Sequence, residues 1–441
     1  MRFDSAFGEC PMNILLVAQG YYPIVGGVEV HVRQVAHALT AASHHVEVAA
    51  MNFLPPRRRG RTAILNTDLL AQPYASFADG SVPVHSLTPS VADRTRMLPI
   101  GIRLLPLLRR FADRAAFRFG YAFYRAVYRP RLKELMQAMK ADVVHSLAGG
   151  YLGWSAQEAA AELGIPLVCT PFVHPQQWGD SADDVAYYRS ADAVIGLVPT
   201  DAEYLASIGT PREKLHVIGV SPELSGTTDP QGFRRRHGFE KVPIILYVGR
   251  MMPTKGSTAV IAAAPKVWQT YPDAHFVFIG PASSQEAAAF NTTDPRIRYL
   301  GKVSLQEKAD ALAACDIFCM PSLSEILPTV YLEAWSYSKP VVGGLAPGLR
   351  ELVEGNGAGV SASQDPQHVA TAVETLLDTE ELRTQMGQRG RELVKANYSV
   401  AAVTGALIAL YQRLATRGAT ATDRNKVSHA PSRDFATIPT V

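Results

Sequence analysis

Short apolar runs alternate with helical patterns twice along this chain of 441 residues, and that repetition limits its fold more than any other feature. In the first series NILLVA (13–18), HVEVAAM (45–51), DVVHSL (142–147), PLVCT (166–170), AVIGLV (193–198) and KLHVIG (214–219) read as buried strands. A helical pattern from 28 to 42 puts Val28, Val32, Val35, Ala36 and Leu39 on one face. The second series is PIILYVG (243–249), HFVFIG (275–280), RIRYL (296–300), DIFCM (316–320) and PVVGG (340–344). Between them 220–240 is rich in Gly, Pro, Ser and Thr and reads as a linker with one short helix. Strand–helix repetition builds a parallel sheet covered on both faces. Two series therefore predict two doubly wound, Rossmann-like α/β domains, over 1–220 and 221–397, facing across a cleft. Ligands in such sheets bind beyond the carboxyl ends of the strands. A last helix is expected over 398–416 and a disordered polar tail over 417–441. Residues 54–106 are interrupted by Pro and Arg and carry no assignment. Residues 1–11 read as a disordered leader or a start set too early, because the first strand begins at Asn13.

A net charge of +3 is too small to argue for nucleic acid as a partner. No run approaches the roughly 18 apolar residues of a membrane span. The first residues lack a charged segment followed by a long apolar one, so no signal peptide is read and a cytoplasmic location is expected. Cys10, Cys169, Cys315 and Cys319 are sparse, and free thiols in a reducing compartment are the better reading. Cys315 and Cys319 could begin a zinc site, but no second Cys/His pair follows.

Two motifs carry chemistry. YVGRMMPTKGS (247–257) follows a strand and opens a helix, with Gly249, Arg250, Lys255 and Gly256 in the loop. Glycines permit close backbone approach, a helix start offers free N–H groups, and two cations add charge, which suits a diphosphate. A basic surface loop is the alternative. PSLSEILPTVYLEAW (321–335) places Glu325 and Glu333 eight apart with no neighbouring cation in sequence. Pro328 suits the first turn of a helix, leaving the amides of Thr329 and Val330 uncapped for a phosphate. Carboxylates accept hydrogen bonds from hydroxyls, so Glu325 on a hexose and Glu333 on a ribose would account for both. Alternatively, Glu325 caps the helix and Glu333 pairs with a distant cation.

The order Gly-Gly loop, Gly-Arg-x4-Lys-Gly, then Pro-Ser-x-x-Glu-x7-Glu-Ala resembles the retaining family 4 glycosyltransferases of GT-B fold, from Asn13 to about Leu414. The resemblance implies a nucleotide-sugar donor bound by the C-terminal domain and an acceptor, lipid-linked or saccharide, held by the N-terminal one. It implies that Arg250 and Lys255 hold the diphosphate, Glu325 the donor sugar and Glu333 the ribose. Gly26 and Gly27 match the family's glycine pair facing the diphosphate, and the final helix is expected to cross back to the N-terminal domain. No Asp-x-Asp motif appears, so neither metal nor other cofactor is expected. Retention is expected to have the leaving phosphate take the acceptor's proton.

Three positions depart from the family pattern. Glu325-Ile326-Leu327-Pro328 replaces Glu-Gly-Phe-Gly, leaving the Ile326 and Leu327 amides for the sugar in a stiffer loop. Leu147 stands where many members have a second histidine after His145, and Ser338 replaces a glycine after the glutamate helix. His174, in TPFVHPQQWGD, is weighted above His145 as the catalytic imidazole of the cleft, with Trp178 also on the acceptor side. Rival readings are a non-catalytic sugar-nucleotide-binding subunit and a GT-B nucleotide-sugar epimerase.

Residues 94–133 hold eleven Lys/Arg against one acid, Asp113. On a helix, Arg110, Arg114, Arg118, Arg125 and Arg129 share one side with Tyr121 and Tyr128, while Ala115, Phe119, Ala122 and Ala126 lie opposite. Arginines mixed with aromatics suit an anionic membrane surface, so peripheral attachment at the inner face of the cell membrane is expected.

Overall fold

The computed structural model describes residues 10–24, 26–51, 75–87, 125–147, 149–175, 178–283, 286–287, 290 and 294–427. Two sheets organise them. The first has strand order β3-β4-β2-β1-β5-β6-β7-β8, from β1 Asn13–Ala18, β2 His45–Ala50, β3 Phe77–Asp79, β4 Val82–Ser86, β5 Val143–Leu147, β6 Leu167–Cys169, β7 Ala193–Gly196 and β8 Leu215–Val217. The second has order β11-β10-β9-β12-β13-β14, from β9 Ile244–Val248, β10 His275–Ile279, β11 Ile297–Gly301, β12 Ile317–Cys319, β13 Val341–Gly343 and β14 Gly359–Ser361.

Every pairing is parallel except β3 with β4. That hairpin lies in the stretch the sequence left unassigned. The central strands show why parallel sheets read as unbroken apolar runs: Ile14 to Ala18 are all fully buried, because helices cover both faces. Helix α1 (Gly27–Ala41) buries Val32, Val35, Ala36 and Leu39 of the predicted stripe, with His31 among them, while Val28 is partly buried against the core.

The hairpin is held to α1 by charge. Asp79 accepts from Arg33 Nε at 2.7 Å and Nη2 at 2.9 Å, His37 Nε2 at 2.8 Å and Tyr21 Oη at 3.0 Å. The Arg33 bonds, foremost, hold its carboxyl well below the usual range. Arg33 also stacks on Tyr22, 4.2 Å from the ring centre. These contacts fix the loop before α1, which carries the glycine pair.

The chain crosses between the domains twice, near Ile218–Val220 and again at Ser399, where extended backbone (φ −64°, ψ 152°) separates two helical segments. The stretch Glu380–Thr416 is long and apolar enough to span a membrane by length and composition, but this break divides it. Its second part packs on α1 and buries Val403, Leu407, Leu410 and Tyr411. The final helix runs Val400–Val427, past the expected end at 416. Its continuation costs little, since adding residues to a formed helix is far easier than nucleating one. Residues 428–441 lie outside the described ones. A cavity of about 390 Å³ lies beside the crossings, lined in part by Ile218, Glu351, Asn397 and Tyr398. There Thr200 donates from the first domain to Glu351 of the second.

Ser338, in place of the family's glycine, follows helix Thr329–Ser336 with φ +58°. Its amide and that of Lys339 return to Trp335 O and Ala334 O at 2.8 and 3.0 Å, closing the helix end. A left-handed L-residue costs roughly 1–2 kcal/mol, and glycine gives part of that back as unfolded-chain entropy. Ser338→Gly is therefore expected to raise the unfolding midpoint of the second domain, by up to about 1 kcal/mol. A lower midpoint in denaturant titration would contradict the assignment of strain.

Candidate active site

In each sheet one strand has its successors leaving in opposite directions, and a crevice opens there at the carboxyl edge. In the second sheet this is β9, between β10 and β12. The loops that follow β9 and β12 carry the two sequence motifs. Lys255 ends the turn Pro253–Lys255 and Glu325 lies seventy residues later, yet their side chains form an ion pair. Lys255 is 32% exposed and Glu325 15%, so neither charge is fully hydrated.

Gly256 explains how the loops approach. It has φ +86°, and a Cβ there would stand 2.8 Å from Pro321 O. Any other residue would be strained and would push the two loops apart. Gln364 straps them from outside, donating to Pro321 O at 2.9 Å and Thr254 O at 3.2 Å. Arg250 is exposed on the same loop, with no ion pair among the described residues. The amide of Gly249 is already taken, donating to Ile279 O at 2.9 Å. Pro328 is the N-cap, one position before the first turn. Helix Thr329–Ser336 has no side-chain cap, so Glu325 does not cap it and no side chain takes its first-turn amides. Leu327 is buried and Ile326 packs on the core.

Glu333 is buried beneath this loop. Lys308 Nζ donates to its Oε1 at 3.0 Å and stands equally near Oε2, at 3.0 Å. Burial pushes its carboxyl up, and Lys308 opposes the shift. Both glutamates thus have lysine partners that sequence proximity could not disclose. Lys308 comes from helix Leu305–Ala314, 25 residues before Glu333 in sequence.

In the first sheet the corresponding strand is β1, between β2 and β5. A cavity of about 440 Å³ opens there, lined among others by Gln19, Gly27, Glu29, Leu147, Phe172 and Trp178. Gly26 is the N-cap of α1 and Gly27 its first helical residue. Phe172 turns the chain after β6 with φ +52°, unusual for a bulky residue and held by its surroundings. His174 and Trp178 then exchange main-chain hydrogen bonds at 3.1 Å, and their rings stack with centroids 4.9 Å apart. His174 is half-buried. Desolvation lowers its pKa, while Glu325 opposes and Lys255 reinforces that shift, which puts it in electrostatic reach of the opposite domain's ion pair.

His145 is not on the acceptor side. It is fully buried, with Nδ1 2.6 Å from Tyr411 Oη and Nε2 2.7 Å from Thr170 Oγ1. It locks the final helix to β5 and β6. The membrane face also needs correction. Arg110, Arg114, Arg118 and Tyr121 lie outside the described residues. In the helix over 125–138, Tyr128 is 1% exposed and belongs to the core, whereas Ala126 is exposed. Arg125 pairs with Glu158, and Arg129 with both Glu158 and Glu162. Arg125 and Arg129 are thus neutralised by the helix Gly150–Leu163, which the linear spacing of the arginines does not disclose.

Cys169, Cys315 and Cys319 are buried free thiols and Cys10 is exposed. No group of three His, Cys, Asp or Glu that could hold a metal ion occurs among the described residues.

Comparison with known proteins places this geometry. Residues 231–393 match the family Glycosyl transferases group 1, and residues 26–221 match the Glycosyl transferase 4-like domain. A GDP-mannose-dependent monoacylated alpha-(1-6)-phosphatidylinositol monomannoside mannosyltransferase of Corynebacterium glutamicum is 32% identical over 277 residues, 60% of this chain and 68% of the relative. A GDP-mannose-dependent alpha-(1-6)-phosphatidylinositol monomannoside mannosyltransferase of Mycobacterium tuberculosis is 25% identical over 88% of this chain and 94% of its own length. Among solved structures, sucrose-phosphate synthase of Thermosynechococcus elongatus has TM-score 0.67 at 19% identity, over 91% of this chain and 99% of that one. Anabaena HepE with UDP and glucose has TM-score 0.64 at 17% identity, over the same shares. These neighbours share the GT-B fold.

The two buried histidines make stability depend on pH. Burial, the main cause for each, lowers His31 to about 4 and His145 to about 3. Both fold neutral, so their contribution is complete above the unfolded value near 6.5 and is lost as pH falls through the folded values. Each costs about 1.4 kcal/mol per pH unit in that window. Unfolding free energy is expected to fall between pH 6.5 and 4, and His31→Gln to reduce the slope. Equal slopes for both proteins would contradict burial of a neutral His31.

Proposed function

The chain belongs to the group 1 glycosyl transferases of GT-B fold, and from that premise we propose how its cleft works. It is a glycosyltransferase, moving a sugar from a nucleotide-sugar donor to a glycolipid or saccharide acceptor. The observation that carries the reading is the Lys255–Glu325 pair at the β9 crevice. Arg250, Lys255 and the Thr329 and Val330 amides hold the donor diphosphate. Glu325 and the Ile326 and Leu327 amides take the sugar. Glu333, held by Lys308, takes the ribose. The acceptor lies on the Trp178 side.

Transfer retains anomeric configuration. The acceptor oxygen bonds the anomeric carbon as the carbon–phosphate oxygen bond breaks, and the acceptor's proton passes to the departing phosphate on the same face. Charge grows on that phosphate, where Arg250 and Lys255 are already placed to stabilise it. A largely neutral His174 orients a hydroxyl across the cleft. The two cations stand where a divalent ion would act, so transfer needs no metal. The names of the relatives make GDP-mannose the first donor to try and a lipid-linked saccharide the first acceptor.

Lys255→Ala is expected to lower transfer at least about 100-fold, near 3 kcal/mol of barrier, in a protein that still folds, its unfolding midpoint lowered only by the loss of Glu325's partner. Excess chelator should leave the wild-type rate unchanged. A folded Lys255→Ala enzyme of normal activity would refute the assignment.

Attachment to an anionic membrane at the cytoplasmic face is supported by 94–124, with seven arginines against Asp113. Vesicle flotation should recover the protein with anionic liposomes and not with neutral ones. Equal failure with both would remove this part.

A further inference from the structure

Glu29 is the ionisable group whose surroundings are most specifically prepared and which the donor reading leaves unused. It lies in the first turn of α1 and is half-buried at the wall of the first-domain cavity. Its carboxylate rests against two main-chain surfaces that lack side chains. A Cβ at Gly20 would stand 2.7 Å from Oε1, and one at Gly26 2.3 Å from Oε2. Gly26 has extended backbone that any residue adopts, so conformational need does not explain the glycine there, whereas room for the carboxylate does. Among the described residues Glu29 has neither an ion pair nor a side-chain hydrogen bond.

The rest of the cavity fits one kind of guest. Trp178 is 50% exposed along it, backed by the stacked His174 ring, and offers a flat apolar face. Asp184 also lines the cavity, though its carboxylate is engaged by Ser181. No lysine or arginine is among the described lining residues. A volume of about 440 Å³ is within the usual size of small-molecule sites. A carboxylate accepts hydrogen bonds and donates none, so it rewards hydroxyls. Against a phosphate it opposes like charge in a poorly hydrated wall, which is discrimination by repulsion.

Resting on the transferase reading, we propose that this cavity takes the acceptor as an uncharged, polyhydroxylated ring. The ring lies on Trp178 and donates hydroxyl hydrogen bonds to Glu29, and a ring phosphorylated at the seated position is excluded. Glu29 is a specificity-determining residue, and Gly20 and Gly26 are the clearance that lets it serve.

Saturation-transfer NMR on the full chain tests this without turnover, with methyl α-mannoside and myo-inositol as neutral probes and mannose 6-phosphate and inositol 1-phosphate as charged ones. A neutral probe is expected to bind at least about tenfold more tightly than its phosphate ester. Trp178→Ala should abolish binding of the neutral probe. Glu29→Gln, of equal size and uncharged, should weaken it and narrow the gap between neutral and charged probes, an effect that a merely structural role would not produce. Equal or tighter binding of the phosphate esters, no binding of either neutral probe, or unchanged selectivity in Glu29→Gln would overturn the proposal. Thermal shift by GDP and UDP, compared between wild type and Lys255→Ala, reads the donor site alone, so its failure would fall on the donor reading instead.

Discussion

Much of the cleft's chemistry depends on one contact, the ion pair of Lys255 with Glu325. Each residue sits on a different loop, and each loop leaves a different strand at the crevice of the second sheet. A cation and a carboxylate withdrawn from water are each costly alone, and pairing removes most of that cost. The pair therefore holds the site together before any donor arrives. It also leaves two kinds of binder side by side: a lysine that a diphosphate can claim, and a carboxylate that hydroxyls can satisfy. Gly256 and Gln364 matter because they set the distance between the loops.

The first domain is built around the opposite need, which is to keep one edge open. Asp79 gathers Arg33, His37 and Tyr21, so the loop before α1 is fixed from behind. Strain at Phe172 and the His174–Trp178 exchange fix the facing loop. The final helix joins this domain through Tyr411 and His145. The two halves are thus tied by a buried polar contact far along the chain, besides the short linker. Satisfied buried networks of this kind give a unique arrangement more than raw stability.

The fold was legible because its signal is repeated. Buried parallel strands leave continuous apolar runs, and the chain shows such runs in two series. The place of the two motif loops, beyond the carboxyl ends of β9 and β12, was legible because each follows an apolar run. Partners were not legible. Nothing near Glu333 in sequence points to Lys308, and nothing near Arg125 points to Glu158. His145 reads as a cleft residue from the family pattern it matches near the end of a strand, and only the return of the final helix and Thr170 show that both its nitrogens are occupied. Tyr128 meets the core and not the solvent, because helix periodicity fixes which residues share a side but not which side is buried. Glu29 did carry a local signal, since a glutamate three residues after an N-cap commonly folds back on it, but a capping glutamate and a recognition glutamate look alike in one dimension.

A crystal structure of the full chain with a bound nucleoside diphosphate tests the central claim most directly. The account requires both phosphates at the β9–β12 crevice, touching Lys255 or Arg250 and the start of helix Thr329–Ser336, with Glu325 turned to where a sugar would continue. Phosphates bound elsewhere, with the Lys255–Glu325 pair undisturbed and facing nothing, would contradict it.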